Sequence, residues 1–570
     1  MANILINPSH KANLSKNGFD MSMIRKFTSS VGQLLPVYYD ILNPGDHVKY
    51  GTEMFTRTQP IKTPALMQIT EHVDWFFVPI TQLYQFFGDM IYGINDIHTN
   101  LLQTYANGVR KDMPVMSYNN IITLLREYCP QGAPDVESIG EETTKFDRFG
   151  IPLFYNAVRL LDLCGFSRLF DDVSKTTMTQ NPISFNPLIL AAYQKIYNDV
   201  YRLGDFEAAD PASYNFDNSW QSNQAIAGNQ IAKLLSLRYR PWKKDFFTNV
   251  MPSPLFSGTD ISGNSASRLA EVNQPLDSNV YGSVQNLDGK TIEYDVDSAG
   301  GFTTAAIRSM FATEKLMEIT RRAGKHYDAQ TLAHFGHEVP QGIAGEVYRL
   351  GSDNSSIQIG DVESTATTQV TIDGETQTSP LGLLAGKGMA YGRNQEKDFT
   401  APCHGILMAI FSAVPDADYR SVGVDKLNTL SAREDFYTPE YDRLGMQPLF
   451  GYQSTFSVQA GNNTEVLGWQ YRYSELKSKF NVCNGAFNNT LRNWAPARIQ
   501  GFVTENDLGS VDPLVTMLIS PNYLDGVMSM DFKPAKTDEV SPYFRDNLIH
   551  MLQFKVFKSS VMSTYGLPNL

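Results

Sequence analysis

Cysteine is scarce in this sequence, and its scarcity sets aside two function classes at once. The four cysteines, Cys129, Cys164, Cys403 and Cys483, stand far apart with no C-x-x-C pair. Neither a disulfide framework nor a structural zinc site is therefore expected, and the thiols read as buried apolar groups. Charge is thin as well: charged residues are 19% of the chain, against roughly 25% in an average soluble protein. Few charges alongside 12% aromatics fit a surface covered by partners, because interface centres are depleted in charge. A positive excess is missing too. Lys and Arg number 47 against 60 Asp and Glu, a net charge of −13, so any contact with nucleic acid must be local, on one face. No window approaches ~18 uninterrupted apolar residues, so no membrane insertion is expected. Met1–His10 lacks the basic and apolar stretches of a secretory leader, which predicts a protein kept in the cytosol unless it leaves inside a larger object.

What is present is strand-like. Val73–Val78 is a short apolar run ended by Pro79. Gly405–Val414 is apolar except for Ser412, the pattern of a strand buried on both sides. Leu514–Ile519 reads the same way. Leu552, Phe554 and Val556 alternate with Gln553 and Lys555, the period of a half-buried strand. Two helices are signalled. In one, Asn186 caps, Pro187 takes the first position, and Leu190, Tyr193, Tyr197 and Val200 follow at helical spacing up to Gly204. The other runs from about Thr304 to Arg322, with Arg321 and Arg322 where they favour the helix dipole. Ser257–Gly301 and Asp353–Pro380 are polar, with little apolar periodicity, and read as long surface insertions. No internal repeat is found.

No catalytic or metal motif is complete in this sequence. Gly382-Leu-Leu-Ala-Gly386-Lys387-Gly388 has one spacer too few for a phosphate loop and Gly where Ser or Thr would hold magnesium, so it reads as a flexible Gly-rich turn. His334-Phe-Gly-His337-Glu338 is not H-E-x-x-H. Cys403-His404 has no third partner in sequence. Asp295-Val-Asp297-Ser-Ala-Gly300 starts like a calcium loop but lacks the later ligands. No cofactor and no metal are expected.

Two basic segments are the candidates for binding. Arg238-Tyr239-Arg240-Pro241-Trp242-Lys243-Lys244 sets four positive charges and two aromatics in seven residues. Cation plus stacking is how single-stranded nucleic acid is held without sequence preference, at ~1–3 kcal/mol per stacked base. A salt-bridged or solvated loop is the competing reading. The amino-terminal arm, about residues 1–45, carries Lys11, Lys16, Arg25 and Lys26, with Asp20 the one acid between Lys11 and Lys26. A positive arm on an acidic chain suits contact with phosphates, and an ordinary terminus that orders on the body is the alternative.

The order of short motifs resembles a known family. Phe19-Asp20-Met-Ser22, the Pro44-Gly45-Asp46 turn and Asp74-Trp75-Phe76-Phe77-Val78-Pro79 come first. Asn186-Pro187, Tyr193, Ile196-Tyr197-Asn198-Asp199 and Tyr201-Arg202 follow, then Leu237-Arg238, Lys244-Asp245-Phe246-Phe247-Thr248 and Pro252. Ile307-Arg308, Phe311, Lys315-Leu316, Gly324, Tyr327 and His334-Phe335-Gly336 resume the pattern. Asp435-Phe436-Tyr437, Pro439, Gly468, Gln470-Tyr-Arg472-Tyr473, Glu475-Leu476-Lys477 and Tyr565-Gly566-Leu-Pro568 complete it. In this ordered set the chain resembles the major capsid proteins of microviruses, especially the gokushovirus-like branch, over nearly its whole length.

The resemblance implies a mainly β fold: one eight-stranded viral jelly-roll barrel with long helix-containing loop insertions, spanning residues 1–570. It implies self-assembly into a T=1 icosahedral shell around a circular single-stranded DNA genome, inside a bacterial host's cytoplasm. A small basic DNA-binding protein, a pilot protein and a host-cell surface receptor are the implied further partners. The family builds a threefold protrusion from a loop at the place of Ser257–Gly301, which is short here and predicts a low knob or a flat threefold surface. Asp353–Pro380 is the second outward candidate for host contact. The rival from another class is an exported glycan-binding surface protein of bacteria. That class needs an export signal, usually with a lipoprotein cysteine near the start, and no cysteine precedes Cys129.

Overall fold

A computed structural model of the chain describes residues 15–92, 113–128, 145–166, 183–216, 226–252, 326–363, 384–454, 466–499, 513–528 and 546–564, apart from 60, 62–64, 343, 421, 443–444 and 525–526. It also describes the paired strands Val280–Gln285 with Thr291–Val296 and Thr368–Ile372 with Glu375–Ser379. Lys11, Cys129, most of the Thr304–Arg322 segment, the rest of Ser257–Gly301 and the terminal Tyr565–Pro568 motif lie outside the described residues.

Among the described residues, ten strands build the main sheet. They are β1 Asn17–Asp20, β2 Met23–Ser29, β3 Leu35–Leu42, β4 His47–Thr58, β5 Ile69–Pro79, β6 Tyr348–Glu363, β7 Leu384–Arg393, β8 Lys397–Thr400, β9 Gly405–Pro415 and β10 Leu548–Ser560. Eight lie on one antiparallel path, β1–β10–β4–β7–β6–β5–β9–β3, while β2 also pairs with β10 and β8 with β4. The sheet curls back on itself. Tyr38 of β3 and Phe554 of β10, from opposite ends of the path, meet with ring centroids 5.3 Å apart. Trp75 of β5 touches both rings and also Tyr50 of β4. Side chains then bridge the two edges: Arg25 of β2 donates to the carbonyls of Pro36 and Val37 at 3.2 and 2.9 Å, and Lys558 of β10 donates to Asp40 at 2.8 Å. The chain is mainly β, with the jelly-roll-like barrel implied by its sequence.

Burial along the strands shows what lies on each side of the curl. In β10 it alternates strictly from Leu548 to Met551 and stays inward at Leu552, Phe554 and Val556. In β9 nearly every residue is buried. The difference comes from helices. Leu153–Leu163 (α1) packs on β3, and Leu188–Ile196 (α2) packs on β5 and β9. They cover the outer face of that half of the sheet, whereas the outer face of β2, β10, β4 and β7 keeps exposed side chains. The signals for α2 hold in part. Asn186 Oδ1 accepts from Leu188 N–H at 2.8 Å, and Leu190 and Tyr193 are buried. The helix widens into a π turn at Tyr197–Tyr201 and straightens at Arg202, before Gly204 is reached.

Three expectations are corrected by packing. Leu514–Ile519 is not a strand: Pro513–Met517 is a helical turn, for which the fixed φ of Pro513 suits the first position. From Leu384 onward, the Gly-rich stretch is no flexible turn but β7. Gly388 donates to Thr58 Oγ1 at 2.7 Å, and a Cβ there would stand 2.4 Å from Thr58 Cγ2. Glycine serves close approach in a strand here. The polar run from Asp353 begins inside β6, where Asp353, Ser355 and Ile357 point inward at period two. Its inward acid is answered by Lys397 at 2.6 Å and by Trp75 Nε1 at 3.2 Å, partners from β8 and β5 that no local window contains.

Candidate nucleic-acid interface

The 238–244 segment runs extended between two stretches of chain. Leu34 N–H donates to Arg238 O at 3.0 Å, Arg240 N–H to Gly32 O at 2.7 Å, and Ile519 N–H to Arg240 O at 2.9 Å. Its side chains are drawn inward. Arg238 donates to Gln194 at 2.8 Å, pairs with Glu207 at 3.5 Å and lies over the Tyr197 ring. Arg240 pairs with Asp74 at 2.8 Å, donates to Ser412 Oγ at 2.6 Å and lies over Tyr201. Tyr239 is buried and donates to Asp147 at 2.6 Å, and burial with that acid pushes its phenol far above its usual range. Trp242 is buried against Tyr523, with the Arg498 guanidinium over its ring. Neither buried aromatic offers a face for a base, and both arginines already have acidic partners. Lys243 and Lys244 are the exposed members.

The arm divides in the same way. From Asn17 it is strand, not tail: β1 and β2 lie along β10. Lys16 reaches Gly45 O, and Arg25 is spent on closing the barrel. Lys26 points outward and is exposed. It heads a cross-strand row, with Lys26 opposite Met551, Met551 opposite Phe55, and Phe55 opposite Tyr391. The two sequence-predicted basic segments meet through the backbone, where Gly32 and Leu34 bond Arg240 and Arg238, and among the described residues no side-chain contact joins their exposed lysines, Lys26, Lys243 and Lys244. The structure sets Lys26 among residues that sequence reasoning missed, Phe55, Arg57, Lys387, Met389 and Tyr391. The one signal for them in the sequence is the alternation within each strand.

Other chemistry-bearing residues resolve as structure. His334 stands in the last turn of the helix Tyr327–Phe335, which ends at a left-handed Gly336, so His337 lies beyond it and shares no helical face. His334 Nε2 contacts Thr320 Oγ1 at 3.0 Å. The His404 ring packs against Phe87, and burial raises the Cys403 thiol. Cys164, Cys403 and Cys483 are free. No cluster of possible metal ligands occurs among the described residues, and no helix there is long and apolar enough to cross a membrane.

One carboxyl stands apart from its usual range. Burial first, and then the carboxylates of Asp328 and Asp199, push Glu346 from 4.5 up to about 7. The neutral acid can donate to His326 Nδ1, 2.9 Å from its Oε1. A folded-state pKa above the unfolded one gives stability that is complete below about 4.5 and lost as pH rises through about 7. The Tm is expected to fall between about pH 4.5 and about pH 7, and Glu346→Gln to flatten that fall. An unchanged slope in the variant would assign the effect to other groups.

A curled antiparallel barrel with one face covered by its own helices and one left open is consistent with a jelly-roll-like capsid subunit. The model of the family described as capsid protein (F protein) matches residues 9–101 and 165–500. The chain is 21% identical over 511 residues to the capsid protein VP1 of Bdellovibrio phage phiMH2K, covering 83% of each chain. It is 24% identical over 213 residues to the capsid protein VP1 of Chlamydia phage 1, covering 35% of this chain and 34% of that one. The chain belongs to the capsid protein (F protein) family of the microviruses. It is a structural protein of the virion, a major capsid protein that assembles with its own copies into a shell, and not an enzyme.

Proposed function

We propose that copies of this chain close into a T=1 icosahedral shell around a circular single-stranded DNA genome, assembled in the cytoplasm of a bacterial host. The observation that carries this reading is the family match along most of the chain. The physical logic is that of symmetric assembly. Heterologous contacts close rings around fivefold and threefold axes, and many modest contacts made together give a stable shell. The outward surface takes its host contacts from Ser257–Gly301 and from the Thr368–Ser379 hairpin, where a cell-surface receptor is met. A small basic DNA-binding protein and a pilot protein complete the particle. On the inward surface DNA meets exposed cations, and the exposure of Lys26, Lys243 and Lys244 supports a part for them there.

Electron microscopy of the purified protein, with nucleic acid extracted after nuclease treatment, tests the reading. Uniform small spherical particles holding protected circular single strands are expected. Monomers that bind polysaccharide and protect no DNA would overturn it in favour of a glycan-binding protein.

A further inference from the structure

We infer that the outer face of β2, β10, β4 and β7 is a platform that holds single-stranded DNA by stacking and charge together. This rests on the capsid reading and names the surface that meets the genome.

The central row runs Lys26–Met551–Phe55–Tyr391, and the next runs Thr28–Ile549–Arg57–Met389. Both rows point away from the barrel, because their neighbours Leu552, Met54 and Ala390 are buried within it. Tyr391 is 68% exposed and Met389 54%, and with the neighbouring exposed Ile549 and Met551 they form a contiguous apolar patch of the kind that marks an interaction surface. The Arg57 guanidinium lies over the Phe55 ring, 5.2 Å from its centroid. Planar cation on ring is an arrangement that continues readily onto a base.

Charge then selects the occupant. Lys26, Lys49, Arg57, Lys387, Arg393 and Lys555 project on this face, against Glu53 and Asp398. Glu53 is held by Lys555 at 2.6 Å and Arg393 at 3.2 Å, so the unspent charge is positive. Lys26, Lys49, Arg57 and Lys387 make no ion pair among the described residues. A locally basic, aromatic face on a chain of net charge −13 is the footprint of a polyanion bound at one place. A four-stranded open sheet with exposed aromatics is a geometry that stacks two or three bases. Duplex DNA buries its base faces within its own stack, so the exposed rings favour a single strand.

Fluorescence anisotropy of a labelled oligo-dT on the purified protein tests this, with particle formation followed by microscopy in parallel. Tyr391→Ala is expected to weaken single-strand binding about tenfold, and Tyr391→Phe to restore it. The double variant Lys26→Gln/Arg57→Gln should lower the slope of log K against log salt by about 1.4, from ~0.7 per phosphate contact. A duplex of the same length should compete poorly, and shells should form in every variant. Unchanged affinity and salt slope in the variants would overturn the assignment. So would loss of particles with single-strand binding intact, which would make the face a contact between copies of the chain. Failure of the parent protein itself to form particles would count instead against the capsid reading.

Discussion

Alanine in place of Arg240 is expected to destabilise the folded chain by about 3 kcal/mol, without lowering the single-strand affinity of the protein that remains folded. The arginine is spent inside the molecule. Its guanidinium pairs with Asp74 at 2.8 Å, donates to Ser412 and covers the Tyr201 ring. Ser412 is fully buried and Asp74 nearly so. Removing the cation leaves that carboxylate with the Tyr201 hydroxyl, 2.6 Å away, as its side-chain donor. An unpaired buried acid is the costly product of such a change, more than the lost attraction itself. Arg240→Lys keeps the charge but not the planar donor, so it should recover only part of the loss. The double change Lys243→Gln/Lys244→Gln should move stability by less than about 0.5 kcal/mol, because both side chains lie on the surface. Urea midpoints of the unassembled variants make the comparison. An unchanged midpoint for Arg240→Ala, together with weakened DNA binding, would return the segment to a nucleic-acid role.

That contrast shows where sequence reasoning reaches its limit. Arg238–Lys244 has the composition of a binding segment, but composition carries no information about Asp74, Asp147, Gln194 and Glu207, the residues that consume its polar groups. Those partners lie tens of residues or more away along the chain. The open face has the opposite history. Its residues come from 24–57 and 387–555, so no short window holds more than one strand of it, and Lys26 alone of them is a binding candidate by sequence. Each strand was nevertheless legible where one side chemistry dominated. The doubly buried Gly405–Pro415 and the alternating Leu548–Ser560 can be read from periodicity because burial alone sets their pattern. Asp353, Ser355 and Ile357 hide the same periodicity behind polar residues, since β6 turns an ion pair and hydroxyls inward as well as an aliphatic group. Gly388 reads as a turn until Thr58 is seen against it. Fold class thus follows from local pattern, and the binding surface does not, because it is made by pairing strands distant in sequence.

Trp75→Ala is expected to cost about 3–5 kcal/mol and to abolish shell assembly. Trp75 is fully buried at the point where the curl closes. Its ring stands 4.8 Å from Tyr50, 5.4 Å from Tyr38 and 5.9 Å from Phe554, so one side chain joins β5 to β4, β3 and β10. Removing the indole opens a void that these three rings, each anchored on its own strand, cannot fill by collapse. It also takes from Asp353 the Nε1 donor at 3.2 Å, leaving Lys397 at 2.6 Å to answer a fully buried carboxylate. Trp75→Phe separates the two losses. It keeps an aromatic at the centre and gives up the hydrogen bond, worth about 1 kcal/mol net, along with part of the volume. Particles should still form from the Phe variant, with a lower Tm than the parent. Circular dichroism melts of unassembled protein and microscopy of assembled material measure both. The consequence for the shell is geometric: β10 and β4 carry the open face on their outer side and Phe554 and Tyr50 on their inner side. A barrel that fails to close around Trp75 would therefore lose the register of the Lys26–Met551–Phe55–Tyr391 row as well. Particles from the Ala variant with an unchanged Tm would show that the sheet does not depend on this ring to close.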